Sequence, residues 1–182
     1  HWMNFIKTKL EGVFEIENSK FQDHRGSFVK TFNKDIFSEN GLDYNFKESF
    51  YSVSKKNVLR GMHFQLPPHD HAKLVYVVDG DILDVALDIR QESPTYGDFF
   101  STRLSSENAK SLYMAKGFAH GFLTLSKSAT VVYLISTVHV PKYDDGIHWD
   151  GFGFDWNGVK NPITSNRDSS FNALSEFRLK DA

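Results

Sequence analysis

The sequence predicts an all-β protein, a sandwich or barrel of short strands with helix only at its edges. Turn signals rich in Gly, Pro, Asn, Asp and Ser recur roughly every 8–12 residues from Glu11 to Val140, the spacing of short antiparallel strands. The segments between them are β-branched and aromatic, as in Lys73-Leu74-Val75-Tyr76-Val77-Val78, or alternate polar with apolar, as in Asp81 to Asp88. Helix signals are confined to brief stretches near Asp35 and after Ser169.

Taken in order, Phe14 to Phe32 reads as two short strands around a turn at Asp23-His24-Arg25-Gly26. Asp35 to Asn40 forms one helical turn that ends at Gly41. Phe46 to Ser54 is a strand, and Lys55-Lys56-Asn57 is its turn. A strand around His63 ends before Pro67-Pro68, which cannot donate to a ladder and so mark a loop. Lys73 to Val78 then runs into Asp79-Gly80, a turn dipeptide that predicts a hairpin with Asp81 to Asp88. Ser93 to Gly97 is a turn, Asp98 to Leu104 a strand, and Ser105 to Asn108 a turn. Further strands follow at Ser111–Ala115, Gly121–Ser126 and Thr130–Ser136. From Pro141 aromatics and glycines interleave without a period, which predicts a loop-rich wrap closed by a short helix from Ser169 to about Phe177.

The 182 residues are 40% hydrophobic and 15% aromatic, enough for a sizeable core in one domain, read as residues 3–182. His1 and Trp2 precede Met3 and are read as a cloning remnant. A net charge of −2 argues against a nucleic-acid partner. No apolar run reaches the roughly 18 residues of a membrane span. The chain has no cysteine and fits a reducing cytoplasm.

The stretch from Val58 to Gly80 concentrates chemistry: one arginine, three histidines and a lysine on what read as two adjacent strands. If Arg60 and His63 leave one strand and His71 and Lys73 enter the next, a basic set converges in an apolar cavity. Alternation puts His63 and Gln65 on one face, so His63 is either a general base or a hydrogen-bonded core histidine. His69-Asp70-His71 overlaps the first metal-ligand pattern of cupin barrels. However, Lys73, separated from Gly80 by six residues, stands where that pattern has a glutamate. An ammonium there opposes a divalent cation. Ala115 to Gly121 resembles the second cupin pattern, or is an ordinary turn between strands. Tyr133 shares a strand face with Val131 and Ile135 and reads as packing with a polar handle unless other groups join it. Asp168 is either a cap for a helix from Ser169 or a carboxylate that orients a histidine.

Together these residues resemble the dTDP-4-dehydrorhamnose 3,5-epimerase family. The blocks that carry the likeness are FQDHRGSF, VLRGMHFQLPP, AKLVYVVDGDILDVALDIR, SPTYG, KGFAHGF, VVY and SNRD, from Phe21 to Asp168. The resemblance implies a cupin-type jelly-roll barrel, a double-stranded β-helix with short peripheral helices, working without metal or other cofactor. It implies a homodimer in which an N-terminal strand crosses to the partner. The expected ligand is a nucleoside-diphosphate sugar, most simply dTDP-linked, destined for a surface glycan or glycosylated metabolite. By the same likeness His63 is the base, Asp168 its orienting partner, Tyr133 the acid, and Lys73 lies near the keto oxygen. Arg60, His120, Gln65 and Glu48 are implied as substrate contacts, as are His139, Asp144 and Arg167, with Arg25 at the diphosphate.

Elementary chemistry agrees with that set. A proton next to a ketone leaves at a useful rate only if the enolate oxygen is stabilised, and a lysine ammonium in a water-poor cavity does this electrostatically. Inversion further needs one group to take the proton and another to return it on the opposite face. The chain departs from the family at Lys30, where glutamate is common, and at Glu48-Ser49-Phe50-Tyr51, where Gln-x-Asn-His is common. His71 stands in place of glutamine and His139 in place of an aromatic residue. The alternatives are a keto-isomerase using the same enolisation, a metal-dependent cupin dioxygenase or isomerase using His63, His69, His71 and His120, and a barrel that binds sugar nucleotides without turnover. The enolisation reading requires Lys73 inside the cavity, with His63 and Tyr133 close enough to flank one hexose ring.

Overall fold

The computed structural model describes residues 2–177. The elements are β1 (Met3–Lys7), β2 (Val13–Asn18), β3 (Lys20–Asp23), β4 (Gly26–Val29), α1 (Lys34–Glu39), β5 (Glu48–Lys55), β6 (Leu59–Gln65) and β7 (Lys73–Asp79). They continue through β8 (Asp81–Asp88), β9 (Phe99–Ser105), β10 (Lys110–Met114), β11 (Phe118–Thr124), β12 (Ser128–Ile135), β13 (Asp144–Gly146) and α2 (Asn166–Ser169). Single 3-10 turns lie at Pro141–Tyr143 and Leu174–Glu176. His1 and residues 178–182, the outer limits of the remnant and of the expected domain, fall outside the described residues.

Two antiparallel sheets face each other as a jelly-roll barrel. One has the order β1-β2-β10-β7-β12-β5 and the other β13-β6-β11-β8-β9. Their inner faces meet in one core. Val75, Val77, Leu112 and Val131 come from the first sheet, and Ile82, Ala86, Leu104 and Phe122 from the second. Strict alternation along β12 turns Ala129, Val131, Tyr133 and Ile135 inward, each 8% exposed or less. Each aliphatic side chain so buried contributes about 1.5–3 kcal/mol.

The barrel is covered outside as well. Asn33 caps α1 by accepting the Ile36 N–H at 3.0 Å, and α1 lowers Phe37 onto the six-stranded sheet among Phe5, Phe32, Phe46 and Tyr113. On the five-stranded sheet the expected wrap is present: Trp149, Phe152, Phe154 and Trp156 pack over Val85, Leu87 and Leu123. The Trp156 indole N–H donates to the Trp149 carbonyl at 2.8 Å.

Several sequence expectations change. The segment 14–32 holds three strands: β2 belongs to the six-stranded sheet, and only β3 and β4 pair around the turn at Asp23 to Gly26. Asp79-Gly80 does not close a hairpin. β7 and β8 lie in different sheets, and the chain crosses from one to the other at Gly80, whose φ is +89°. The strands of His63 and Lys73 are likewise not neighbours but face each other from opposite sheets. The closing helix over 169–177 is replaced by α2, one turn earlier, and by the 3-10 turn at Leu174–Glu176. Among the described residues no helix is long and apolar enough to cross a membrane.

Candidate active site

The inner faces leave a cavity of about 460 Å³ at one end of the barrel, open at a mouth between β5, β13 and α2. From the five-stranded sheet β6 contributes Arg60, His63, Phe64 and Gln65, and β11 contributes His120 and Phe122. The six-stranded sheet supplies Lys73 from β7, Tyr133 and Ile135 from β12, and Glu48, Phe50 and Ser52 from β5.

A local irregularity makes the β6 contribution possible. His63 lies opposite His120, yet Arg60 lies opposite Phe122, so β6 carries an extra residue across this pair. That bulge brings positions three apart onto one side. Gly61 and Gly121 allow it by close backbone approach. A Cβ on Gly61, whose φ is +137°, would fall 2.5 Å from the Gly121 Cα, and one on Gly121 would fall 2.5 Å from the Met62 sulfur. The glycine at 121 therefore serves a contact inside a strand, not the tight turn its spacing suggested.

His63 is held from behind. Its Nε2 lies 2.6 Å from Asp168 Oδ1, and the other oxygen of that carboxylate accepts the Gly61 N–H at 3.1 Å. The Asp168 side chain is 6% exposed against 33% for His63, so the carboxylate is the buried partner and the imidazole faces the cavity. Burial alone would raise the Asp168 carboxyl, but the bonds to His63 and Gly61 and the charge of Arg167 outweigh it and hold the group below its usual range. With Nε2–H given to Asp168, Nδ1 carries the lone pair. Of the two sequence readings of residue 168, the helix cap does not hold. A helix does start here, but its cap is Ser165, whose Oγ accepts the Asp168 N–H at 3.0 Å, while the Asp168 side chain turns to the histidine. Phe171 completes the setting. Its ring meets His63 edge-on at 6.0 Å, the Arg167 guanidinium lies over it, and its close packing leaves no room for a Cβ on Gly146.

Lys73 is 8% exposed, and its ammonium makes no hydrogen bond or ion pair among the described residues. Burial draws its ammonium down from 10.5 to about 8, partly offset by the charges of Asp84 and Asp144. His120, 3% exposed, bonds Asp84 Oδ1 at 2.6 Å, while Asp84 Oδ2 is buried without a hydrogen-bond partner. Burial lowers the His120 imidazole despite Asp84. Tyr133 is 8% exposed, with its phenol 2.8 Å from Ser52 Oγ and its ring stacked on Phe50 at 4.8 Å. Burial pushes that phenol up to about 12, against the opposing effects of Ser52 and Arg60.

The mouth is lined by charge. Asp144 accepts from His139 at 3.1 Å and pairs with Arg167 at 3.3 Å, and Glu48 accepts the His139 backbone N–H at 3.3 Å. Arg60 donates to Ser54 Oγ at 2.9 Å. Two expected contacts sit differently. Gln65 lines the cavity but its amide is already committed: Oε1 accepts the Val140 N–H at 2.7 Å and Nε2 donates to the His69 carbonyl at 2.7 Å. Arg25 is outside this cavity, 79% exposed at the tip of the β3–β4 hairpin and paired with Asp23. The four histidines weighed as metal ligands are engaged separately: His63 and His120 on carboxylates, His71 on Thr137, His69 against the Tyr143 ring. Among the described residues no group of three or more His, Asp, Glu or Cys side chains is arranged to hold a metal ion.

Asp84, Ser52, Phe50 and Phe171 are site residues the sequence reading did not single out. The alternation of β8 was the available signal for Asp84, but alternation does not say whether a face meets water. In fact Asp84 and Asp88 share the inner face with Ile82 and Ala86, and β8 is covered on both sides.

A sequence profile of the dTDP-4-dehydrorhamnose 3,5-epimerase family matches residues 7–176. The chain is 44% identical to the dTDP-4-dehydrorhamnose 3,5-epimerase of Methanothermobacter thermautotrophicus, over 94% of this chain and 95% of that one. The Shigella flexneri enzyme of the same name is 41% identical, over 91% and 93%. The solved structure of dTDP-6-deoxy-D-glucose-3,5-epimerase from Legionella pneumophila, in complex with dTDP-4-keto-L-rhamnose, superimposes with a TM-score of 0.93. It is 34% identical, over 97% of this chain and 95% of that one. A barrel of this topology with these blocks in this order is a sugar-epimerising enzyme, and the chain belongs to the dTDP-4-dehydrorhamnose 3,5-epimerase family.

Proposed function

We propose that this epimerase acts on a dTDP-linked 4-keto-6-deoxyhexose, inverting carbon centres next to the ketone by proton removal on one face and return on the other. The observation that carries the reading is the division of labour between sheets. The five-stranded sheet presents His63, backed by Asp168, and the six-stranded sheet presents Lys73 and Tyr133 across one cavity.

His63 takes the proton on Nδ1 and becomes an imidazolium, which the buried Asp168 carboxylate stabilises. Electron density moves onto the 4-keto oxygen, where the Lys73 ammonium meets it in low dielectric. Tyr133, neutral throughout the working range, gives its proton to the opposite face, and its hydrogen bond to Ser52 fixes where that proton is delivered. Arg60 and Arg167 present positive groups to the substrate's oxygens, with His120 lining the cavity beside them and Glu48, His139 and Asp144 at the mouth. The carrier is supported by the dTDP-4-keto-L-rhamnose in the Legionella neighbour and the TDP in a Bacillus anthracis neighbour, 32% identical with a TM-score of 0.90.

Arg25 fits a homodimer in which the β3–β4 hairpin of one copy reaches the diphosphate held by the other. That hairpin pairs with neither main sheet and carries its arginine into solvent. The test is turnover in heavy water over a panel of 4-keto-6-deoxyhexoses carried on dTDP, GDP, CDP and UDP. Deuterium should enter at C3, at C5 or at both, and fastest on the dTDP carrier. Absence of exchange at both carbons on every carrier would refute the reading.

A further inference from the structure

His71 lies two residues before Lys73, on the same side of the chain, and both side chains line the cavity. The surrounding hydrogen bonds favour one of its two tautomers. The Val140 N–H is a donor without ambiguity and bonds Gln65 Oε1 at 2.7 Å, so the amide orientation of Gln65 is settled and its Nε2 is the donor side. That Nε2 gives one hydrogen to the His69 carbonyl at 2.7 Å and directs the other at Thr137 Oγ1, 3.2 Å away, and at His71 Nδ1, 3.4 Å away. The Thr137 hydroxyl, receiving from Gln65, has two acceptors in reach, His71 Nδ1 at 2.9 Å and the His69 carbonyl at 3.4 Å, and the shorter contact favours Nδ1. Two donors therefore converge on Nδ1. A protonated Nδ1 would instead face the Gln65 amide donor to donor. This arrangement favours the tautomer with the imidazole proton on Nε2, which makes no hydrogen bond among the described residues.

We propose that His71 is a second hydrogen-bond donor to the oxygen that becomes negative in the enolate, presenting a fixed neutral N–H beside the Lys73 ammonium. The inference rests on the enolisation reading above and adds to it a residue that does not transfer a proton: the hydrogen stays on Nε2 throughout. A neutral imidazole N–H is suited to this role, because it polarises a carbonyl without protonating it. Burial and the neighbouring charge of Lys73 push the His71 imidazole down to about 3, so it keeps this form across the working range. Gln65 and Thr137 are then positioning residues that act through His71.

The experiment compares wild type, His71→Gln and His71→Leu in heavy water with a dTDP-linked 4-keto-6-deoxyhexose, and reads the histidine tautomer by ¹⁵N NMR on the wild type. His71→Leu is expected to lower kcat by about 100-fold with KM within a few-fold of wild type. His71→Gln keeps an N–H donor and should recover most of that loss. Urea unfolding of each variant checks that the barrel is intact, and Thr137→Val, which leaves the imidazole in place but frees its tautomer, should lower kcat by an intermediate factor. The ¹⁵N spectrum should show Nδ1 unprotonated. An unchanged kcat in folded His71→Leu, a loss confined to KM, or a protonated Nδ1 would each overturn the assignment of His71 alone. A wild-type enzyme inactive on every 4-keto sugar would overturn the enolisation reading, and this inference with it.

Discussion

Lys73→Met separates the two consequences of burying a cation in the cavity. Methionine keeps the length of the stem but removes the charge. In the folded state the ammonium titrates at about 8 in place of 10.5, mainly through burial. At about 1.4 kcal/mol per pH unit, holding the charged form inside the barrel costs about 3 kcal/mol at neutral pH. Lys73→Met should therefore be more stable than wild type at pH 7, by up to about 3 kcal/mol. The gain is reduced by whatever Asp84 loses when its positive neighbour goes. The sign with pH follows from linkage. The unfolded chain binds the lysine proton more tightly than the folded one, so the penalty is present in full below pH 8 and fades as pH rises through 8 to 10.5. Urea unfolding at a series of pH values should show the two proteins converging toward pH 10. Activity should move the other way, with deuterium wash-in at pH 7 falling by about 10²–10³ as the enolate oxygen loses its cation, and the gap narrowing above pH 8. Wild-type activity should itself decline as pH climbs through about 8. A Lys73→Met protein that is less stable than wild type by an amount constant from pH 7 to 10, or one that retains normal exchange, would refute the reasoning.

Asp168→Asn keeps the shape behind His63 but replaces an anion with a neutral amide, so kcat/KM should fall by about 10³–10⁴ while KM changes little. Tyr133→Phe should break proton return without breaking proton removal: deuterium still enters the starting epimer on the His63 face, while inverted product drops by about 10²-fold or more, as followed by NMR of the sugar. Gly61→Ala brings a Cβ within 2.5 Å of the Gly121 backbone at a φ of +137°. It should cost at least about 1–3 kcal/mol in urea unfolding and reduce activity, since both Arg60 and His63 depend on that bulge.

Local sequence signals recovered most strand positions, because turn chemistry and β-branched runs are written into short windows. Pairing was not. Asp79-Gly80 supplies the positive φ that a hairpin requires, but a corner where the chain changes sheets requires the same freedom, and nothing within a few residues distinguishes the two. The same limit hid Asp84, since alternation reports which residues share a face but not whether that face meets water. For the site, the family likeness of the sequence blocks, and not any one residue read alone, named His63, Lys73, Tyr133 and His120, all of which line the cavity. The internal hydrogen bonds of Gln65 were not legible, because the Val140 and His69 backbone groups that meet its amide come from loops whose approach no spacing predicts. Asp168 stayed undecided in sequence because its histidine is brought to it only by the closing of α2 over β6.

Because the base is mounted on one sheet and the cation and acid on the other, the gap they must span is set by the thickness of the packing between the sheets. Val75, Val131, Leu112 and Leu104 touch no substrate in this scheme, yet they act as shims between two plates carrying opposite jaws of a vice. A methylene gained or lost there changes the jaw separation by a fraction of an ångström, which is the tolerance within which proton transfer works. Turnover in this enzyme should thus report on the fit of its interior, and drift in deep positions can retune the reaction while every reactive side chain stays the same.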